Sequence, residues 1–439
     1  MAMLDQPTIL IIVGISGDLS RRKLLPAINQ IAAAGVLPRH FKIVGLTRRH
    51  LSPDDVLPKG DHQFLRSHFE LYEMNMTSPG DFKKLGDHLK HIEAEFGAPA
   101  QRLFYLSVPP QVSQPLVEHL GESGLAAMPD TKLLLEKPFG VDLASAQELV
   151  NGITKYFAES QVYRIDHYLA KETTQNLVVF RRGNALFKRS WNKDFIESIE
   201  VLASEKIGIE GRANFYEQTG ALRDFVQSHL LQLAALTLME LPKAGDWHNI
   251  PTKRLQALQQ LKPPMRVVRG QYDGYKTEVE NLKSAVETFV SLTFESKDPR
   301  WQGVPITVTT GKALDQKTTE IRITYRQEEA HEANQLVLRI QPNEGVSIYL
   351  LAKRPGYERE LQDVTLDFSY HNHFAGLPDA YERVFVDAMR SDRSLFTTSD
   401  EVLATWRLLD LVQRAWEMRG DNLITYRPGA APQEILQHP

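Results

Sequence analysis

Residues 9–20 read Ile9-Leu10-Ile11-Ile12-Val13-Gly14-Ile15-Ser16-Gly17-Asp18-Leu19-Ser20. Five apolar residues in a row mark a strand buried on both faces, as in a parallel sheet. Glycines beyond it let the chain turn tightly and approach a pyrophosphate, whose charge meets the N-terminus of the following helix. Residues 24–34 carry the helical pattern, and Gly35 is its expected stop. The loop has two glycines where the dinucleotide fingerprint has three, so taken alone it also fits a plain strand-to-helix turn.

The alternation repeats downstream. Short apolar strands are predicted at residues 42–46, at 103–108 before Pro109-Pro110, and at 132–136 before Lys137-Pro138, with helical patterns between them. Strand and helix in alternation predict an α/β, Rossmann-type, doubly wound parallel sheet. After Lys171 the pattern changes. Helix is expected at 173–182, a half-exposed strand at 195–203 and a long apolar helix at 220–241. Closely spaced strands follow at 286–294, 306–310, 320–325, 335–340 and 346–351, then helices at 380–389 and 399–418. That order predicts an α+β domain with a large, mostly antiparallel sheet. The expected division is residues 1–170 and 171–439, in line with a chain too long for one ordinary domain.

Composition removes several classes of function. A net charge of −4 without a basic stripe argues against a nucleic-acid partner. The absence of cysteine excludes disulfides, a thiolate nucleophile and cysteine metal sites, and fits a cytoplasmic location. The run 9–13 is too short to span a membrane. Residues 1–8 lack the basic and apolar regions of a secretory signal.

Two places carry chemistry. Thr47-Arg48-Arg49 follows the second strand, where a dinucleotide fold meets the adenosine ribose. An acidic residue there suits NAD, whereas arginine suits the 2′-phosphate of NADP through forked, charge-assisted hydrogen bonds. Downstream, Arg164-Ile165-Asp166-His167-Tyr168-Leu169-Ala170-Lys171-Glu172 mixes cations, carboxylates and a phenol. Such a set can grip a phosphate and leave a carboxylate to orient a base. Hydride removal from a C–OH carbon needs such a base, and histidine suits it because its pKa lies near neutrality. His167 and His229 are the candidates. Asp224 and His229 are five apart, which on an α-helix points them in different directions. Asp166 and His167, adjacent in an extended segment, do not readily face each other.

These motifs resemble the glucose-6-phosphate dehydrogenase family. The resemblance rests on residues 14–19, Glu136-Lys137-Pro138-Phe139-Gly140, the 164–172 run, Arg223-Asp224 with His229, Arg269-Gly270-Gln271-Tyr272, Gly311-Lys312-Ala313-Leu314, Gln341-Pro342-Asn343-Glu344 and Asp379-Ala380-Tyr381-Glu382-Arg383. It implies oxidation of glucose 6-phosphate at C1 to a lactone, the first step of the oxidative pentose phosphate pathway, with NADP as coenzyme, NAD as a weaker alternative and no metal. It implies that His229 is the general base and Asp166 its orienting carboxylate. Lys137, His167, Tyr168, Lys171, Glu205, Asp224, Lys312 and Lys317 become substrate contacts. Gly14, Ser16, Gly17, Asp18, Leu19, Arg48 and Lys137 become coenzyme contacts. It also implies a homodimer or homotetramer without a membrane partner.

The chain departs from the family pattern in places. Lys317 stands where many members have arginine, which keeps the charge and loses the fork. Ala170 replaces a frequent glycine, and the stretch between His229 and Arg269 is short. Arg322 and Arg339 match part of a second, structural NADP site of some members, but Thr318 falls at one of its basic positions. Tight binding of a structural NADP is therefore not expected. Competing readings are a sugar dehydrogenase of the glucose–fructose oxidoreductase type, which shares Glu-Lys-Pro but not the 164–172 run, a relative acting on another sugar phosphate or on 6-sulfoglucose, and a non-catalytic NADP sensor.

Overall fold

A computed structural model describes residues 4–58, 62–128, 130–327, 333–374, 376–419 and 423–437. The chain forms two compact units. The first comprises residues 1–140, 144–170 and 378–399, and the second comprises 141–143, 171–377 and 400–439. The expected boundary at residue 170 did not include the return of Pro378–Ser399 to the first unit.

The first unit is built on strands β1 (Thr8–Val13), β2 (Phe41–Thr47), β3 (Phe69–Glu73), β4 (Gln101–Leu106), β5 (Thr131–Leu135) and β6 (Val162–Ile165). They are parallel in the order β3-β2-β1-β4-β5-β6, and the two-residue strand Phe396–Thr397 pairs antiparallel with β6. This is the dinucleotide-binding order, in which the topology reverses between β1 and β4 and ligands bind beyond the carboxyl ends of those strands. Every residue of β1 is buried, as its unbroken apolar run requires. The following helix starts earlier than residue 24, at Asp18, with a π-wound turn at Ser20–Leu24 before Leu25–Ala33.

The returning segment is held by its own chemistry. Helix Ala380–Met389 has a capping box, with Tyr381 N donating to Asp379 Oδ1 and Asp379 N donating to Glu382 Oε1. Val384, Phe385, Ala388 and Met389 join the apolar cluster of Leu10, Ile12 and Leu103. Lys132 Nζ donates to Ala388 O at 2.6 Å, and Gln101 Nε2 donates to Met389 O at 3.1 Å.

The second unit contains β7 (Ile196–Ser204), β8 (Arg266–Tyr272), β9 (Phe289–Phe294), β10 (Ile306–Gly311), β11 (Thr318–Tyr325), β12 (Gln335–Gln341), β13 (Gly345–Lys353) and β14 (Leu361–Ser369), with a further strand Leu423–Tyr426. They form one nine-stranded sheet in the order β14-β13-β12-β11-β7-β10-β9-β8-(423–426). The sheet is mostly antiparallel; the pairs β10–β7 and β8–(423–426) are parallel. Helix Ile250–Gln260 is tied to the helix beginning at Ser399 by a fully buried ion pair, Arg254 Nε to Glu401 Oε1 at 2.8 Å.

The long helix expected over 220–241 is different in detail. Gly220 is not helical (φ 64°, ψ 175°), residues Leu222–Leu230 wind as a π-helix, and Leu231–Leu238 is α-helical. A π-helix bonds i to i+5. Asp224 and His229 are therefore roughly one turn apart, and do not point in the quite different directions an α-helix would give. Among the described residues no helix is long and apolar enough to cross a membrane.

Candidate active site

In the first unit, the turn after β1 lies at the topological reversal. Gly14 has φ +86°, and a Cβ there would lie 2.4 Å from Ser107 O at the end of β4. Only glycine fits so close an approach at that backbone angle. Gly17 N donates to Gly14 O at 2.9 Å, and Ser20 Oγ donates to Ser107 Oγ at 3.2 Å. Ser16 and Gly17 are in the turn, while Asp18 and Leu19 begin the helix, whose first N–H groups lack intrahelical partners. Asp18 is exposed and forms a 2.7 Å pair with Arg22. Arg48 is exposed just past β2, where Arg49 N donates to Thr47 Oγ1 and bends the chain.

Lys137 follows β5, and its peptide bond to Pro138 is cis. Asp166, 2% exposed, follows β6, and its Oδ1 accepts from Tyr168 N at 3.0 Å. That bond folds 166–170 into a turn, so Asp166 and His167 are not in extended chain. The rings of His167 and Tyr168 are 4.8 Å apart. Tyr168 is buried and His167 is partly exposed. Arg164, in the same run, is removed from the phosphate-gripping set. Its guanidinium is buried and donates to Glu159 at 3.0 Å and Ser399 Oγ at 2.7 Å, so its charge serves the fold.

In the second unit, Lys312 and Glu205 form a direct ion pair at the ends of β10 and β7. Lys312 is almost fully buried, with its ammonium 5.2 Å from the Tyr216 ring centroid and 5.9 Å from that of Phe225. Phe225 meets the His229 ring edge-on at 5.6 Å. His229 is 1% exposed, while Asp224 is partly exposed. One cluster thus joins a base candidate, a lysine and the Glu205 carboxylate. Tyr216 and Phe225 had no sequence signal beyond being aromatic.

Lys171 is the N-cap of helix Glu172–Gly183, and its Nζ is 3.8 Å from Glu344 Oε1. The other oxygen of Glu344 accepts from Thr173 N at 2.9 Å, placing a carboxylate at the positive end of the helix. Lys317 is exposed in the turn before β11, beside the register pair Thr318–Ser204 and so next to Glu205. Arg322 and Arg339 are engaged within the sheet, by Glu320 at 2.8 Å and Asp367 at 2.6 Å. Among the described residues no group of histidine and acidic side chains has metal-holding geometry.

Known proteins resemble this chain from end to end. The family model described as "Glucose-6-phosphate dehydrogenase, NAD binding domain" matches residues 11–176, and "Glucose-6-phosphate dehydrogenase, C-terminal domain" matches residues 178–437. The chain belongs to the glucose-6-phosphate dehydrogenase family. Within that family, the glucose-6-phosphate 1-dehydrogenase of Rhizobium meliloti (strain 1021) is 37% identical, with 97% of this chain and 94% of that protein covered. The enzyme of the same name from Bacillus subtilis (strain 168) is 34% identical, covering 98% and 96%. A solved glucose-6-phosphate dehydrogenase in complex with glucose 6-phosphate superposes with a TM-score of 0.92 at 32% identity, covering 100% of this chain and 98% of that one.

Proposed function

We propose that this chain is a glucose-6-phosphate 1-dehydrogenase that uses NADP+ and releases 6-phosphoglucono-1,5-lactone, the opening step of the oxidative pentose phosphate pathway. The observation that carries the reading is the agreement over the whole chain with the substrate complex at 32% identity. The NAD binding domain match supports a nicotinamide coenzyme, and the exposed Arg48 past β2 supports the 2′-phosphate form.

The residues divide by chemistry. The turn Gly14 to Leu19 offers backbone N–H groups at the topological reversal, which suits a pyrophosphate. Arg48 suits the 2′-phosphate, and Lys137 stands where coenzyme and sugar contacts meet in the family. Bound NADP+ would supply the acceptor for the hydride of C1. His229 takes the C1 hydroxyl proton, so that the C1–O bond becomes the lactone carbonyl as the hydride leaves. Asp166 fixes the imidazole tautomer and stabilises its cation. Glu205 and Asp224 accept from sugar hydroxyls. His167, Tyr168, Lys171, Lys312 and Lys317 answer the phosphate dianion. The reading also carries the cytoplasmic setting and the homodimer or homotetramer expected above. Leu350, Leu361 and Leu366, exposed on β13 and β14, support the sheet as the subunit contact.

The test is the initial rate of nicotinamide reduction with glucose 6-phosphate and NADP+ or NAD+ in parallel, beside free glucose and 6-sulfoglucose. A fast NADP+ rate that needs the phosphate supports the reading. A rate with another sugar alone transfers the mechanism to that substrate, and no rate with any sugar brings the sensor reading forward.

A further inference from the structure

Glu136 directly precedes Lys137 at the carboxyl end of β5, and the oxidation described above gives it no task. The Tyr105 hydroxyl, from β4, donates to Glu136 Oε1 at 2.5 Å. Burial raises the Glu136 pKa, and the Tyr381 hydroxyl, from the returning helix Ala380–Met389, acts beside that of Tyr105 to oppose this. Both phenols are buried, and burial beside Glu136 pushes their pKa values up, so they keep their protons. The Tyr105 bond thus holds the carboxylate from a neighbouring strand.

The charges around Glu136 are those of the site. Burial raises its pKa most, the two hydroxyls and Lys137 act against that, and Asp166 adds to it. Glu136 and Asp166 leave the carboxyl ends of β5 and β6, neighbouring parallel strands whose register pairs Leu135 with Arg164, so the two carboxyl groups stand near each other and repel, and electrostatic interaction is mutual. An ionised Glu136 makes Asp166 and whatever it contacts harder to deprotonate.

We propose that Glu136, held by the Tyr105 hydroxyl, is a positioning residue of the reaction that holds Lys137 in place and sets the negative field at Asp166. This rests on the dehydrogenase reading above. A carboxylate that merely knits β4, β5 and the returning helix together affects stability, and leaves the pH dependence of turnover alone.

The experiment compares wild type with Glu136→Gln, which keeps the shape and removes the charge, and with Tyr105→Phe, which removes the hydrogen bond that holds Glu136 and keeps the charge. The readouts are kcat and KM for glucose 6-phosphate, the pH profile of kcat/KM, NADPH affinity by fluorescence and the unfolding temperature. For Glu136→Gln, kcat falls about tenfold with KM changed only a few-fold. The acid limb of kcat/KM moves to lower pH by about half a unit, because a negative charge near the base system has gone. NADPH affinity falls by no more than a few-fold, since Lys137 is one coenzyme contact among several and the turn after β1 is untouched. Tyr105→Phe lowers kcat less and leaves the acid limb in place. If Glu136→Gln lowers only the unfolding temperature, with kcat and acid limb as in wild type, the proposal is wrong. If that variant does not fold, Tyr105→Phe decides, and an unchanged kcat overturns the proposal. A wild-type protein with no rate on glucose 6-phosphate overturns the dehydrogenase reading and this inference with it. A normal wild-type rate beside an unaffected variant overturns this inference alone.

Discussion

His229 is nearly inaccessible, lies on a π-wound turn and has Phe225 against its ring. Asparagine keeps a polar group of similar reach but cannot accept the proton. His229→Asn should lower kcat by roughly 10²–10⁴-fold and leave KM for glucose 6-phosphate within a few-fold, as steady-state kinetics will show. A loss of turnover smaller than tenfold rejects the base assignment. Arg48 makes the opposite kind of contribution, in binding alone. It is exposed, so its removal leaves the fold intact. Arg48→Ala should weaken NADP+ by on the order of tenfold to a hundredfold, the worth of one or two charge-assisted hydrogen bonds, with little effect on NAD+. Equal losses for the two coenzymes, measured by titration, reject Arg48 as the 2′-phosphate ligand.

At the scale of elements, the entry to the π-helix is the sensitive point. Ala221 N donates to Glu287 O, and Leu222 N donates to Glu287 Oε1 at 3.0 Å. A Cβ on Gly220 would lie 2.4 Å from that same Oε1, at φ +64°. Gly220→Ala must therefore displace a buried carboxylate or change the backbone. The expected cost is about 1–3 kcal/mol in urea unfolding, with a lower kcat because Asp224 and His229 ride on the displaced segment. Wild-type stability and kcat in this variant contradict the account. The π winding also explains why i, i+5 spacing was misread. Sequence periodicity assumes 3.6 residues per turn, and nothing in Leu222–Leu230 announces another.

At the scale of the whole molecule, the first unit is closed by a chain segment from far downstream, through contacts that titrate. Asp387, on the returning helix, is raised by burial to about 6, with Arg383 at 2.9 Å opposing the shift. A carboxyl raised in the fold contributes stability that is complete below its unfolded pKa of about 3.9 and is lost as pH rises through about 6. Lys132 is lowered by burial to about 8. The unfolded chain then holds the extra proton between about 8 and the ordinary lysine value of 10.5, so stability recovers across that window. Asp387→Asn should flatten the decline between pH 4 and 6 in thermal unfolding of the full chain, leaving the alkaline recovery. An unaltered acid-side slope shows that Asp387 does not titrate there.

The run Ile9 to Val13 and its glycines fixed the parallel sheet in advance, because a strand buried on both faces must be apolar throughout. The strands of the second unit were legible where residues alternate, as in β7 and β11. β8 and β14 were not, because Val267, Leu361 and Leu366 are exposed and the pattern there is not core against solvent. Site residues were legible as types, by resemblance of their motifs. Their surroundings were not. That Arg164 is a structural cation, that Glu344 serves both Lys171 and a helix end, and that Glu205 meets Lys312 across β7 and β10 depend on pairings between distant segments. Local periodicity records which face of an element is apolar. It carries no record of which remote element will cover that face, and only the packed chain decided this.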